Sequence, residues 1–419
     1  MRIWPRRRHR PRTEPDHIRL EAVLNIGTTT VRALVISVER NQFTVWGQSR
    51  AGHGSGFGLE GRVVDRERLT ACCEAVLSEA EEMARETAGR PMIADHIRLG
   101  VSGAFLWSYV PIVQRRRVHP DQAVSTTEMD RILHGLTRSA VRYTKTLSRR
   151  THLRMKLVSL SPLTVYVDGR WVTDPRGFHG GELRVRAFGA YAPRYYLETL
   201  HAVADQLDMD VADVVAIPDA LVVALSLPEG IILKIGGTTT QAVGIEHKCP
   251  AWFDRFDLGG VAFTQVVEER MGLLPERAED AKIHFALGGG DESTRNTWHD
   301  LLTPTCLRWQ DSLQQVLGDA STEQTLPATL FFCGGGSILP DLVADLSQRL
   351  QRNGLPFAQP PETRPLTVQT IRGWEDNTTS RWDLGDVAAI SVAAHGVALS
   401  GQDPLTRRLR QLGKEMGSQ

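Results

Sequence analysis

The strongest constraint on the fold is an internal repeat. "AVLNIGTTTVRALVI" (22–36) and "IILKIGGTTTQAVGI" (231–245) align at an offset of 209 residues, position 25 falling on 234. Leu24/Leu233, Ile26/Ile235, Gly27/Gly236, Thr29/Thr238, Thr30/Thr239, Ala33/Ala242 and Ile36/Ile245 are then identical. In each copy β-branched residues flank a Gly-Thr turn, the pattern of two strands joined by a tight hairpin. A chain that restarts the same hairpin half-way along is expected to build two half-molecules. Its 419 residues also exceed what one compact core holds.

Such a hairpin suits phosphate. Glycine lets the backbone approach an anion closely, successive N–H groups form a concave nest, and threonine hydroxyls add donors. One copy reads as an ordinary β-turn; two copies facing each other across a cleft point to a nucleotide.

Between the repeats, Asp65 is placed to cap a helix over 65–88, with Leu69, Cys72, Val76, Ala80 and Met83 as its stripe and Gly89 as its end. "HIRLGVSG" (96–103) reads as a buried strand. From 104 to 182 the character changes. Ser125 and Glu128 stand in capping-box spacing before a helical stretch, and short strand patterns surround it, as in a small inserted α+β module. Helix and strand alternate again over 194–225 and 230–350, and the Pro-rich 355–365 reads as a loop or connector.

Hydrophobic residues at 41% and charged residues at 23% are globular values, and 49 basic side chains cancel 49 acidic ones. That balance predicts no nucleic-acid partner. The amino terminus is nevertheless basic, with Arg2, Arg6, Arg7, Arg8, Arg10 and Arg12 broken up by Pro5, Pro11 and Pro15. A solvated disordered tail is expected there, with attraction to anionic lipid as the alternative. No secretory signal and no apolar run of spanning length are present. Five cysteines without a C-x-x-C pair suggest neither a disulfide framework nor a zinc site, and fit a reducing, cytoplasmic setting.

The two hairpins, "CGGGSILPDL" (333–342) and "GDVAAISVAAHGVAL" (385–399) resemble the phosphate, adenosine and connecting motifs of the actin-like ATPase superfamily. Within it, "IRLGVSG", "DPRGFHGGELRV" (174–185), "DLGGVAFTQVV" (257–267) and "RAEDAKIHFA" (277–286) are similar to the FtsA-type cell-division proteins, over about residues 20 to 401. PilM-type pilus-assembly scaffolds are the nearest competitor, and ATP-dependent kinases of the superfamily a further one. The resemblance implies an α/β, actin-like (ribonuclease H-like) two-lobed fold with an inserted α+β subdomain. It divides the chain into a basic tail (1–19), a first lobe (20–103 and 183–228) carrying the insertion (104–182), and a second lobe (229–262 and 327–384) with a small subdomain (263–326). A connecting helix (385–401) and an amphipathic tail (402–419) follow.

For the site, the resemblance implies that Asn25, Gly27, Thr28 and Thr29 line one side of the phosphates of ATP. Lys234, Gly236, Gly237, Thr238 and Thr239 would line the other. Glu279 and Lys282 would reach the ribose and adenine, and Gly334, Gly335, Gly336 and Ser337 would present backbone to the nucleoside. No catalytic residue and no metal ligand is assigned. The departures matter more, because the family typically has aspartates where this chain has Asn25, Lys234 and Gln241. Replacing three carboxylates in this way moves the local formal charge from −3 to +1. A unit charge pair at ~4 Å is worth about 4 kcal/mol at an effective dielectric near 20, so Lys234 is expected to repel magnesium and pair with phosphate itself. Nucleotide binding is then weakened or magnesium-independent, with hydrolysis very slow or lost. The alternative is that Lys234 is salt-bridged across an empty cleft and no nucleotide binds.

At the carboxyl end, Leu405, Leu409, Leu412 and Met416 form one stripe, with Arg407, Arg408, Arg410 and Lys414 away from it. Two readings stay open, an interfacial helix on an anionic membrane or a helix docked on the protein's own surface. Gly413 is expected to weaken the helix by roughly 1 kcal/mol. The implied partners are an FtsZ-like tubulin homologue bound through 263–326, further copies of the chain in filaments, and the inner face of the cell membrane.

Overall fold

Two sheets of matching design carry the repeats. The computed structural model describes residues 19–39, 41–53, 65–322, 325–398 and 404–417, so the expected basic tail lies outside the described residues except for Arg19. The first lobe begins with strands β1 (Arg19–Ile26), β2 (Thr30–Glu39) and β3 (Gln42–Gly52), helix α1 (Arg66–Ala88) and β4 (His96–Val101). The inserted module comprises β5 (Trp107–Tyr109), β6 (Ile112–Arg116), α2 (Thr126–Thr151), β7 (Met155–Val167), β8 (Arg170–Val172) and β9 (Glu182–Pro193). The chain returns to the first lobe through α3 (Arg194–Gln206), β10 (Asp210–Ala216) and α4 (Ile217–Leu225).

The second lobe runs through β11 (Glu229–Ile235), β12 (Thr240–Glu246), β13 (Cys249–Phe256), α5 (Gly260–Met271), α6 (Pro275–Ala286) and α7 (Glu292–Ser321). It continues with β14 (Thr329–Cys333), α8 (Pro340–Val343), α9 (Leu346–Arg352) and β15 (Glu362–Pro365). The final elements are β16 (Trp374–Asp376), α10 (Val387–Ala398) and α11 (Pro404–Gly417).

The sheets are ordered β10-β4-β1-β2-β3-β16 and β13-β12-β11-β14-β15. In each, an antiparallel three-strand meander is extended on its first strand by two parallel strands. The module has its own sheet, β5-β9-β7-β8, with β6 also on β9. Strand β9 is central to it, so the insertion runs past residue 182, where the sequence reading ended it. The loop expected at 355–365 also changes at its end, because β15 forms an edge strand paired in parallel with β14. Pro365 is tolerated at such an edge, where no further strand needs its missing donor.

Local signals explain the helix ends. Asp65 Oδ1 accepts from the Arg68 amide at 2.9 Å, and Gly89 terminates α1 at φ 66°. The buried stripe of α1 includes Cys73 and Ala84 in place of the expected Cys72 and Met83. Ser125 Oγ accepts from the Glu128 amide at 3.2 Å. The Glu128 carboxylate does not return to the cap; it takes two bonds from Arg117, at 2.9 and 3.0 Å.

Helices α4 and α10 pack on each other between the lobes. Their core joins Val23, Leu34 and Ile36 of the first sheet to Ile232, Val243 and Ile245 of the second. Helix α11 packs on α2 and β7, with Leu405, Leu409 and Leu412 in the module's core. Of the two readings of this segment, the docked one is what the structure has, and the stripe is covered by the protein itself. Gly413 is part of that fit, since a Cβ there would stand 3.2 Å from Leu160 Cβ. Among the described residues no helix is long and apolar enough to cross a membrane.

A candidate nucleotide cleft held shut by its own side chains

The two hairpin turns are built alike. Gly27 N donates to Thr30 O at 2.9 Å, and Gly236 N to Thr239 O at 2.9 Å, the same pair shifted by the repeat offset. The turns meet: Thr238 N donates to Thr28 Oγ1 at 3.3 Å. A Cβ on Gly237 would lie 2.6 Å from Thr29 Cγ2 and 2.8 Å from Thr28 Oγ1, so only glycine permits this approach.

Two further contacts cross the cleft. Lys234 Nζ, from the end of β11, donates to Ser102 Oγ just after β4 at 3.2 Å. Arg255, near the end of β13, donates from Nη1 to Gly103 O at 3.2 Å, with its guanidinium 4.5 Å from the Trp107 ring centroid. Burial is the main influence on Lys234 and pulls its pKa below the ordinary lysine value; Cys333 opposes that pull and Arg32 adds to it. The expected lysine in the cleft is therefore present, and its cross-cleft partner is a hydroxyl.

Arg32 is a cleft residue that the motif reading missed. It pairs with Asn25 across β1 and β2 as Gln241 pairs with Lys234 across β11 and β12, so the repeat offset itself pointed to it. Its Nε donates to Asp386 Oδ1 at 2.9 Å and its Nη1 to Thr30 Oγ1 at 2.8 Å. The Asp386 carboxylate is thus engaged by a cation, while burial raises its pKa. Ser102 lay in the "IRLGVSG" motif without an assigned role and Arg255 had no sequence signal; only the closed fold brings them to the turns.

On the side of the cleft expected to hold phosphate, some polar atoms have no partner among the described residues. Asn25 Oδ1, Thr238 Oγ1 and both amide atoms of Gln241 are buried and lack a hydrogen-bond partner among the described residues. Buried polar groups are ordinarily satisfied, and these atoms are not met by any of the described residues. The donor set, a lysine ammonium, a glutamine amide and threonine hydroxyls, fits an anion. It does not fit a hydrated divalent cation, which prefers carboxylate oxygens. A triphosphate would also have to part turns that now touch.

The residues expected at the nucleoside lie together within the second lobe. Lys282 donates to Gly260 O at 3.1 Å, Thr264 Oγ1 at 2.8 Å and Glu279 Oε2 at 2.6 Å, which uses all three ammonium protons. Burial lowers its pKa and Glu279 opposes the shift. The structure therefore sets Lys282 under the start of α5, with no proton left to reach a ribose. The Glu279 side chain stays 45% exposed. Gly334 adopts φ 99°, and a Cβ there would collide with the Ile235 carbonyl. Gly336 likewise presses on Ile235 and Gly236, Gly335 faces open space, and Ser337 Oγ donates to Gly334 O at 2.5 Å. These residues join the second turn, since Gly260 N donates to Gly236 O at 2.9 Å and Val261 N to Gly237 O at 2.8 Å.

No protein-family model matches the chain. Among curated proteins it is similar to "Cell division protein FtsA" of Streptococcus pneumoniae serotype 2 (strain D39 / NCTC 7466), at 23% identity over 357 residues, 78% of this chain and 72% of that protein. Among solved structures it is similar to the "PilM-PilN type IV pilus biogenesis complex", with a TM-score of 0.63 at 16% identity, covering 90% of this chain and 98% of that one. The ethanolamine utilization protein EutJ from Carboxydothermus hydrogenoformans aligns with a TM-score of 0.49 at 13% identity over 91% of this chain and 90% of that one.

Proposed function

We propose that this chain, FtsA-type in sequence and actin-like in fold, is a non-hydrolysing scaffold of a membrane-linked assembly rather than an ATPase. The observation that carries the reading is the Lys234 ammonium, bonded to Ser102 across the cleft where the superfamily would hold magnesium. Phosphoryl transfer depends on metal electrostatics and on a group that orients the nucleophile. Asn25, Lys234 and Gln241 supply neither. Nucleotide binds weakly and without magnesium, through the unpaired Gln241 and Thr238 groups and Lys234, after the turns part.

In this reading the scaffold works on the inner face of the cell membrane, links an FtsZ-like tubulin homologue to it and self-associates into filaments. The sequence likeness to a cell-division protein favours that partner. With α11 docked, membrane contact would fall to the basic segment before β1 or to a partner. A second reading, a pilus-assembly scaffold, is favoured by the structural likeness to PilM in its complex.

Equilibrium dialysis with ATP, with and without magnesium, alongside phosphate release, tests the cleft. Binding that magnesium leaves unchanged, with no turnover, is expected; magnesium-dependent turnover would refute the reading. Co-sedimentation with an FtsZ-like protein, against capture by a PilN-type peptide, decides between the assemblies.

A further inference from the structure

Helix α11 is held at two levels. Leu405, Leu409 and Leu412 supply apolar burial on α2 and β7. Beside them, Arg410 enters a buried polar junction. Its Nη2 lies 3.3 Å from Nε2 of His395 on α10 and 3.7 Å from Asp213 Oδ2 on β10. His395 is 0% exposed, and its Nε2 is also 3.5 Å from Asp219 Oδ2 on α4, which accepts from Ser161 Oγ on β7 at 3.3 Å. Lys414 Nζ lies 3.3 Å from Asp213 Oδ1. The Arg98–Glu21 pair adjoins α10 at Gly396, but it is bonded internally at 2.5 and 3.2 Å. On the α2 side, Arg408 approaches Asp130 at 3.6 Å, and His134 Nδ1 is spent on the backbone of its own helix at 2.8 Å.

Arginine can only donate, so its contact with His395 requires a lone pair on Nε2, that is, a neutral imidazole with its proton on Nδ1. An imidazolium donates from both nitrogens. Its Nε2–H would turn to Asp219, and it would meet Arg410 as a like charge. Arg410 would then retain only the long approach to Asp213, which it shares with Lys414.

We propose that His395 is a proton-controlled latch for α11. Neutral, it accepts from Arg410 and holds the helix down. Protonated, it pairs with Asp219 and releases Arg410, so that the leucine stripe and the groove between α2 and β7 are uncovered together. Docking is then linked to one proton, and its equilibrium falls by at most about tenfold per pH unit on acidification.

Amide hydrogen exchange of the full chain between about pH 8 and about pH 5.5, expressed as protection factors that remove the intrinsic pH dependence, tests the latch. Protection of 404–417 is expected to fall with acidification by up to about tenfold per pH unit, while β1 and β11 hold theirs. His395→Gln keeps an acceptor that does not titrate, and Arg410→Gln removes the cation while leaving the leucines. Either variant is expected to make protection of 404–417 independent of pH, and Leu409→Asp sets the level of the released helix. Constant protection in the wild type would overturn the proposal, as would a loss in Arg410→Gln that parallels the wild type.

Discussion

The Nζ of Lys234 and the Oγ of Ser102 lie 3.2 Å apart on opposite sides of the cleft, and with Thr238 N to Thr28 Oγ1 at 3.3 Å they join the two lobes. The ammonium is covalently part of β11, which makes the closed arrangement a property of the chain.

Restoring the acids should reverse the metal preference. Asn25→Asp, Lys234→Asp and Gln241→Asp together change the local formal charge from +1 to −3. Each unit pair is worth about 4 kcal/mol at ~4 Å and an effective dielectric near 20. Titration calorimetry should find nucleotide binding insensitive to magnesium in the wild type and magnesium-dependent in the triple variant.

Lys234 should also leave a mark on stability. Its folded pKa is lowered, chiefly by burial, so between that value and the unfolded value near 10.4 the unfolded chain binds more protons and stability rises with pH. Below both values the penalty on the buried ammonium is fully present. Urea unfolding across the alkaline range should show this rise in the wild type and a smaller one in Lys234→Met, since Lys282 is lowered as well.

Leu409, on the face of α11 that packs on α2 and β7, is 0% exposed. Leu409→Ala should lower the unfolding free energy by about 2–5 kcal/mol, the usual cost of emptying a leucine site. Flotation with anionic liposomes should be weak for the wild type near neutral pH and stronger for Arg410→Gln, because the stripe is otherwise covered. Strong wild-type flotation lost on truncation after residue 398 would contradict the docked helix.

Glu21 and Arg98 form a buried two-bond pair, at 0% and 6% exposure. Glu21→Ala leaves the guanidinium without its partner and should cost about 3–5 kcal/mol, read by chemical denaturation.

If the small subdomain of the second lobe binds the filament partner, its exposed leucines are the first candidates. Leu274 is 75% and Leu287 76% exposed. The double change to Glu should abolish co-sedimentation with an FtsZ-like protein and leave the melting temperature within about 1 °C, as surface substitutions usually do.

Residues near one another in sequence settled the local half of this structure. The repeated Gly-Thr hairpin fixed the strand pairs β1–β2 and β11–β12, Asp65 and Gly89 fixed the ends of α1, and the apolar stripe of 405–416 fixed an amphipathic helix. Hydrophobic period, turn chemistry and capping act over a few residues, which makes them legible without coordinates. What each element faces depends on approaches between residues outside that local span. That Lys234 meets Ser102, that Lys282 spends its protons under α5, that β9 extends the module and that the leucine stripe covers α2 and β7 were decided by packing. A stripe of leucines has the same pattern whether it is buried by lipid or by protein, and an ammonium looks the same in sequence whether its partner is a phosphate or a hydroxyl; only the tertiary structure supplies the partner.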